Sequence, residues 1–231
     1  MVFLTRLSEI FCNSQSIHMI NPREAREKAV RKAKSDLIQD AACRVFARRG
    51  FHETRLEDIA AEAGFSKASL YNYYTDKEEI FLSLAVREYR RIIEEIDGEL
   101  DDSRPFLDNM KSVLFIVFTH FGEQFALILT ISNFQTLSLL HAQMPRHESL
   151  KYDFEHELGQ FGSCIAHLIR TAKKRGEIQT CLGSATLAGF IGGLIQRTLA
   201  DWRRNGAMGD VETAVNDIVE FITSGICVEK V

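Results

Sequence analysis

Between Thr54 and Phe81 the chain reads TRLEDIAAEAGFSKASLYNYYTDKEEIF, and inside it an ammonium, a methyl and a hydroxyl follow one another at Lys67, Ala68 and Ser69. At the start of a short helix these three groups suit the edges of base pairs. Lys67 can donate to guanine O6 or N7, Ala68 can touch a thymine methyl, and Ser69 can bond several base edges. Ser66, just before this helix, and Asn72 within it complete the candidate DNA-contacting set. Thr54 and Arg55 stand at the N-terminus of the preceding helix, where free amides and the helix dipole attract a phosphate. Such contacts position a protein on a duplex and carry no sequence information.

Other chemistry finds little support. Asp153 and His156 have the i,i+3 spacing of metal ligands, with Glu155, Glu157 and His147 nearby, but no HExxH or duplicated ExxH accompanies them. The five cysteines (Cys12, Cys43, Cys164, Cys181, Cys227) are scattered singly, which argues against a disulfide framework or a zinc knuckle and for reduced thiols in a cytoplasmic protein. No Ser/His/Asp spacing marks a nucleophile, and no GxxxxGK[ST] loop marks a nucleotide site. The expectation is a protein that is no enzyme and carries no metal or cofactor.

The elements that must position the reading set follow from periodicity and stop signals. A first helix from about Ser35 to Arg49 carries Leu37, Ile38, Ala41, Ala42, Val45 and Phe46 on one stripe, and Gly50 stops it. Thr54 and Glu57 have the spacing of a capping box for a second helix ending at Ala63. Gly64 supplies the positive φ of a helix end, and Ser66 caps a third helix, Lys67 to Tyr74. Ile59, Ala63, Phe65 and Leu70 can meet in a small core, so the pair reads as a helix-turn-helix. A fourth, rod-like helix runs from Asp76 to Leu100, with Glu78 and Glu79 in its first turn. DDSRP breaks it. Further helices are expected at 106–122, 124–142, 147–175, 184–205 and 210–226, with no strand alternation anywhere. The fold class is therefore all-α. Its domains are an N-terminal extension (1–33), a three-helix helix-turn-helix domain (34–77) and a C-terminal helical body (78–231).

The composition fits: 45% hydrophobic and 26% charged residues, with only 3 prolines in 231 residues, exclude disorder and leave room for long helices. The net charge of −4 conceals an asymmetry, because residues 1–77 hold 13 basic against 10 acidic residues while the remainder holds 15 against 22. From Arg23 to Arg55 ten basic residues face five acidic ones. One end of the protein is thus suited to a polyanion. The lead-in REAREKAVRKAK (Arg23–Lys34) reads either as an arm following a nucleic acid backbone or, with Glu24 and Glu27 interleaved, as an exposed helical extension; the latter is favoured. The opening MVFLTRLSEIFC is a poor signal peptide, and Met19 offers a second candidate start. Gln124–Pro145 lacks charged residues over a membrane-spanning length, but Gln124, Asn133, Gln135, His141 and Gln143 suit a cavity lining better than lipid.

Helix one, the capped second helix, AGFS, LYNYY and the acidic DKEE together resemble the DNA-binding domain of the tetracycline-repressor-like (TetR) family of bacterial transcription regulators. The resemblance covers about a fifth of the chain closely. It implies that Tyr71, Tyr73 and Lys77 contact phosphates. Family members often carry histidine and phenylalanine at positions 73 and 74, where this chain has Tyr73 and Tyr74, so which ring faces DNA stays open.

Eight of the sixteen phenylalanines fall between Phe106 and Phe161, interspersed with polar residues, the composition of an apolar cavity with a few convergent polar groups. The resemblance likewise implies an effector pocket there. Candidate lining residues are Phe115, Phe118, Thr119, His120, Asn133, Phe134, His141 and Phe161. Gly189, Gly192 and Gly193 inside a helical stretch suggest close helix approach. That stretch and residues 211–226 look like the two-helix dimer face of the family, with Phe190, Gly193, Leu194, Arg197, Trp202, Ile218, Phe221 and Ile222 as candidates. The combined expectation is a cytoplasmic, homodimeric repressor that binds a double-stranded, palindromic operator and is released by a small apolar or aromatic effector, with no membrane partner. Two rivals remain: a DNA-binding protein governed by a protein partner, with a filled interior and an exposed apolar patch, and a helical-bundle enzyme using the 147–156 cluster.

Overall fold

The computed structural model describes residues 21–123, 146–205 and 208–226, and within them the chain forms eight helices and no strand. The expected helix 124–142 lies outside the described residues. Helix α1 (Pro22–Arg49) begins thirteen residues before the expected start. The start is well specified: Asn21 Oδ1 accepts from the amide of Arg23 at 3.0 Å, and Pro22 stands where its missing N–H costs nothing. Residues 21–34 are exposed throughout; from Ile38 onward α1 buries Ile38, Ala41, Ala42, Val45 and Phe46. Gly50, at φ 76°, ends it.

Helix α2 (Leu56–Ala63) starts on a different cap from the expected one. Thr54 is buried and its hydroxyl donates to the carbonyl of Gly50 at 2.7 Å, so the carboxylate of Asp58 closes the first turn instead, accepting from the amide of Arg55 at 3.1 Å. Gly64 adopts the left-handed φ of 72° that the turn requires, and the amide of Phe65 reaches back to Ala60 at 2.8 Å. Helix α3 (Lys67–Tyr71) is capped by Ser66, whose Oγ accepts from the amide of Ser69 at 3.1 Å. It stops three residues short of the expected Tyr74. The amides of Tyr73 and Tyr74 both turn to the carbonyl of Leu70, which swings the Tyr74 ring into the core.

Helix α4 (Lys77–Glu99) is capped by Asp76, which accepts from Glu79 at 2.8 Å, while Glu79 accepts from the amide of Thr75 at 2.7 Å. Two side chains of the first turn thus hold backbone amides at the start of α4, Asp76 as the cap and Glu79 reaching one residue beyond it. The body follows as α5 (Phe106–Glu123), α6 (Glu148–Lys174), α7 (Ser184–Arg204) and α8 (Val211–Ile226). Helix α4 packs on α1 and then on α5 and α6, α6 on α7, and α5 on α8. One continuous core results. At its head end Phe46, Phe51 and Phe81 meet at ring separations of 5.1–6.0 Å; in the body Tyr89 sits against Phe121, Phe154 and Phe161 at 5.5–6.3 Å. Phe81 and Tyr89 both belong to α4, so the rod is shared by the two halves. No helix among the described residues is long and apolar enough to cross a membrane.

Candidate functional site

The head presents a short exposed edge. Lys67, Ala68, Tyr71 and Asn72 on or next to α3 are exposed, as is Arg55 at the start of α2. The Lys67 ammonium is paired with the Glu57 carboxylate and lies 5.9 Å from the centre of the Tyr71 ring. The hydrogen bond to Glu57 raises the Lys67 pKa and lowers that of Glu57, so the pair is ionised through the physiological range. Both side chains are about half exposed, so the pair is weak and readily exchanged for another anion. The Ser69 hydroxyl lies 2.8 Å from that of Ser66.

The two neighbouring tyrosines take different roles. Tyr74 is buried, with its hydroxyl 2.5 Å from Ser35 Oγ and accepting from Gln39 Nε2 at 2.7 Å. Burial lifts its pKa against the opposing pull of those hydrogen bonds. Tyr73 stays half-buried at the rim, edge-on to Phe65 at 6.1 Å and under the Arg31 guanidinium at 5.4 Å.

Two expected phosphate ligands face inward instead. Thr54 is 2% exposed with its hydroxyl on Gly50. The Lys77 ammonium donates to the carbonyls of Phe51, His52 and Thr54 at 2.9, 2.9 and 3.0 Å, which uses all three of its protons to fasten the turn between α1 and α2. Spacing alone could not show that three carbonyls converge on it.

In the body, residues of α6 and α7 line a cavity of about 540 Å³. Tyr89 from α4 and Phe121 from α5 form its inner wall; Phe154, Phe161, Ile165 and Leu199 are among its lining residues. Burial alone pushes the Tyr89 pKa up to about 12, so its phenol stays neutral. Gly159, Gly162, Gly189, Gly192 and Gly193 also line the cavity, and a Cβ built on any of them meets nothing within 4 Å. Within this chain they leave space and do not bring its own helices together.

Among the described residues, Phe161 is the one expected lining residue that lines this cavity. Phe115 is 55% exposed on the outer face of α5, and Phe118 points the other way, against Trp202 at 5.3 Å. Thr119 is half-buried, and His120 bonds Glu95 at 2.5 Å. Asn133, Phe134 and His141 lie outside the described residues. The sequence did contain a signal for what was missed: Phe154, Leu158, Phe161 and Ile165 recur along one stripe of α6.

The expected dimer residues divide as well. Phe190, Gly193, Arg197 and Phe221 face outward, and Leu194 is half-buried. Trp202, Ile218 and Ile222 are 8%, 4% and 2% exposed, because they belong to the chain's own core. Among the described residues no three potential metal ligands cluster. His156 stacks on Tyr152 at 6.3 Å.

A three-helix head with a capped helix-turn-helix pair on a long rod, joined to a helical body with an apolar cavity, defines the class of helix-turn-helix transcription regulators. Residues 38–84 match the family described as bacterial regulatory proteins, tetR family. It is similar to the fatty acid metabolism regulator protein of Bacillus subtilis, 24% identical over 189 residues, covering 82% of this chain and 93% of that one. Over 59 residues, 26% of this chain and 27% of the relative, it is 44% identical to the transcriptional regulator RutR of Escherichia coli. Its fold matches that of FadR from Bacillus subtilis in complex with stearoyl-CoA, with a TM-score of 0.69, 23% identity and coverage of 82% and 98% of the two chains. These relatives are regulators.

Proposed function

We propose that this protein is a dimeric repressor whose two heads bind successive major grooves of a palindromic operator, and that an apolar effector with an acyl chain releases it. The carrying observation is the cavity of about 540 Å³, which lies within the usual range for small-molecule sites and is walled on one side by the rod that enters the head. The stearoyl-CoA bound by the FadR neighbour supports an acyl chain as the occupant class. A protein-partner regulator was expected to have a filled interior, so the cavity favours the small-molecule reading.

In this scheme Lys67, Ala68 and Ser69 read bases, Arg55, Tyr71 and Tyr73 hold phosphates, and Phe190, Arg197 and Phe221 belong to the dimer face. The recognition helices would stand one DNA turn apart, about 34 Å. An effector that prefers a different tilt of α4 changes that separation, and typical couplings of about 1–3 kcal/mol weaken DNA binding roughly 5- to 150-fold.

The test is fluorescence anisotropy on duplexes tiling the DNA beside its gene, titrated with acyl-CoA thioesters of increasing chain length. Chain-length-dependent release from one tile, abolished by Gly192→Leu while DNA binding is retained, is the expected result. Tight acyl-CoA binding without any change in DNA affinity would overturn the effector reading.

A further inference from the structure

The first three turns of α1 carry no core. Residues 22–34 hold six basic side chains against two acidic ones, and every one of these residues is exposed. Four apolar residues, Ala25, Ala29, Val30 and Ala33, are too small or too exposed to anchor them. A helix of this length is marginal alone, yet the Asn21 cap and Pro22 define its start, and continuity with the packed half of α1 propagates it. The chain thus maintains a stiff basic rod beside its head.

The rod is not aimed at random. Arg31 donates to the carbonyl of Asn72 at 3.2 Å and covers the Tyr73 ring, so the extension is fixed to the end of the recognition helix. Arg26, Lys28, Arg31 and Tyr73 line one shallow groove; Arg23, at its outer end, is paired with Glu27 at 3.0 Å. The second half of α1 differs: Arg44 and Arg48 are paired with Glu62 and Arg49 with Asp58 of α2, which neutralises that stretch against its neighbour. The net positive charge of α1 is therefore concentrated on the extension, at the edge where α3 ends.

We propose that this extension is a second DNA-contacting element, which lies along the sugar-phosphate backbone outside the half-site read by α3 and lengthens the footprint of each protomer. The inference rests on the DNA-binding reading of the head. It assigns Arg23, Arg26 and Lys28 to phosphates, and Arg31 to positioning the rod. Backbone contacts of this kind add affinity without sequence preference.

The experiment compares the full chain with an Arg23→Gln/Arg26→Gln/Lys28→Gln variant, which leaves Arg31 and the head untouched; circular dichroism checks that helicity is kept. Binding to a mixed-sequence duplex of about 40 base pairs, roughly four turns, and to the tightest-binding tile is measured as a function of salt. Each lost phosphate contact lowers the slope of log K against log salt by about 0.9. The expected result is a slope smaller by about one to three per protomer, equal weakening on both duplexes, and loss of backbone protection outside the half-sites. An unchanged slope and footprint in the variant, with the unaltered protein binding normally, would overturn the inference and leave the proposed function standing. Failure of the unaltered protein to bind either duplex would overturn both.

Discussion

The imidazole Nε2 of His147, the residue preceding α6, lies 2.9 Å from both carboxylate oxygens of Asp76, the residue that caps α4. The His147 side chain is 10% exposed and that of Asp76 31%. The same carboxylate holds the Glu79 amide, so one group ties the body to the point where the rod leaves the head. Helix α6 also lines the cavity, so the effector proposed for it would have a short route to the head. Replacing His147 by alanine is expected to leave DNA affinity without effector within a few fold and to reduce effector-induced release at least fivefold, the lower end of ordinary coupling. Anisotropy titrations with and without an acyl-CoA thioester measure both quantities.

Lys67→Ala should lower discrimination between the preferred duplex and one mismatched under α3 roughly ten- to hundredfold, the worth of a good base contact, with no measurable change in melting temperature. Glu57→Gln should do the reverse, raising affinity a few fold by freeing the ammonium. The lowered pKa of Glu57 makes the pair available above the ordinary carboxylate range, about 4.3, and lost as pH falls through the folded value. The raised pKa of Lys67 makes it available below about 10.4 and lost as pH rises through the folded value. Between those limits the Lys67 contribution to binding should not vary with pH, which a titration from about pH 6 to 9 checks.

Tyr74→Phe leaves Gln39 Nε2 without its acceptor in a buried setting and should cost about 1–3 kcal/mol in urea denaturation. Tyr73→Phe removes a hydroxyl at the rim and should leave stability within about 0.5 kcal/mol while weakening DNA binding.

A Cβ at Gly209 would collide with the indole of Trp202, the chain's single tryptophan. Gly209→Ala should therefore displace the indole from Phe118 and destabilise by about 1–3 kcal/mol, with a red shift of the tryptophan emission as the direct readout.

Gly192→Ala should have the opposite sign. Its Cβ points into free space within a helix, so up to about 1 kcal/mol of helix propensity is gained without a clash. Thermal melting of the protein without effector distinguishes this from a tight helix contact, where alanine destabilises.

Local stop signals were legible because each acts within a few residues: Gly50, Gly64, Ser66 and Asp76 all stand where the chain requires them. Ambiguity began where a contact outside the local pattern decided the outcome. Thr54 with Glu57 and Arg55 with Asp58 have the same spacing, and the carbonyl of Gly50 selects the second by claiming the Thr54 hydroxyl. Lys77 at the start of a rod resembles a phosphate ligand until three carbonyls from the preceding turn are brought to it. A glycine in a helix signals that something needs space, but composition does not say whether that is a neighbouring backbone or a cavity. The five glycines of α6 and α7 belong to the second kind within this chain.

The division of α4 between two aromatic clusters gives the two halves of the molecule a shared core, so melting either half should cost the other part of its packing. Whatever binds the native body adds its mass-action term to the whole. Amides around Ile59 that exchange only through global unfolding should therefore slow in deuterated water when a ligand fills a cavity they never touch.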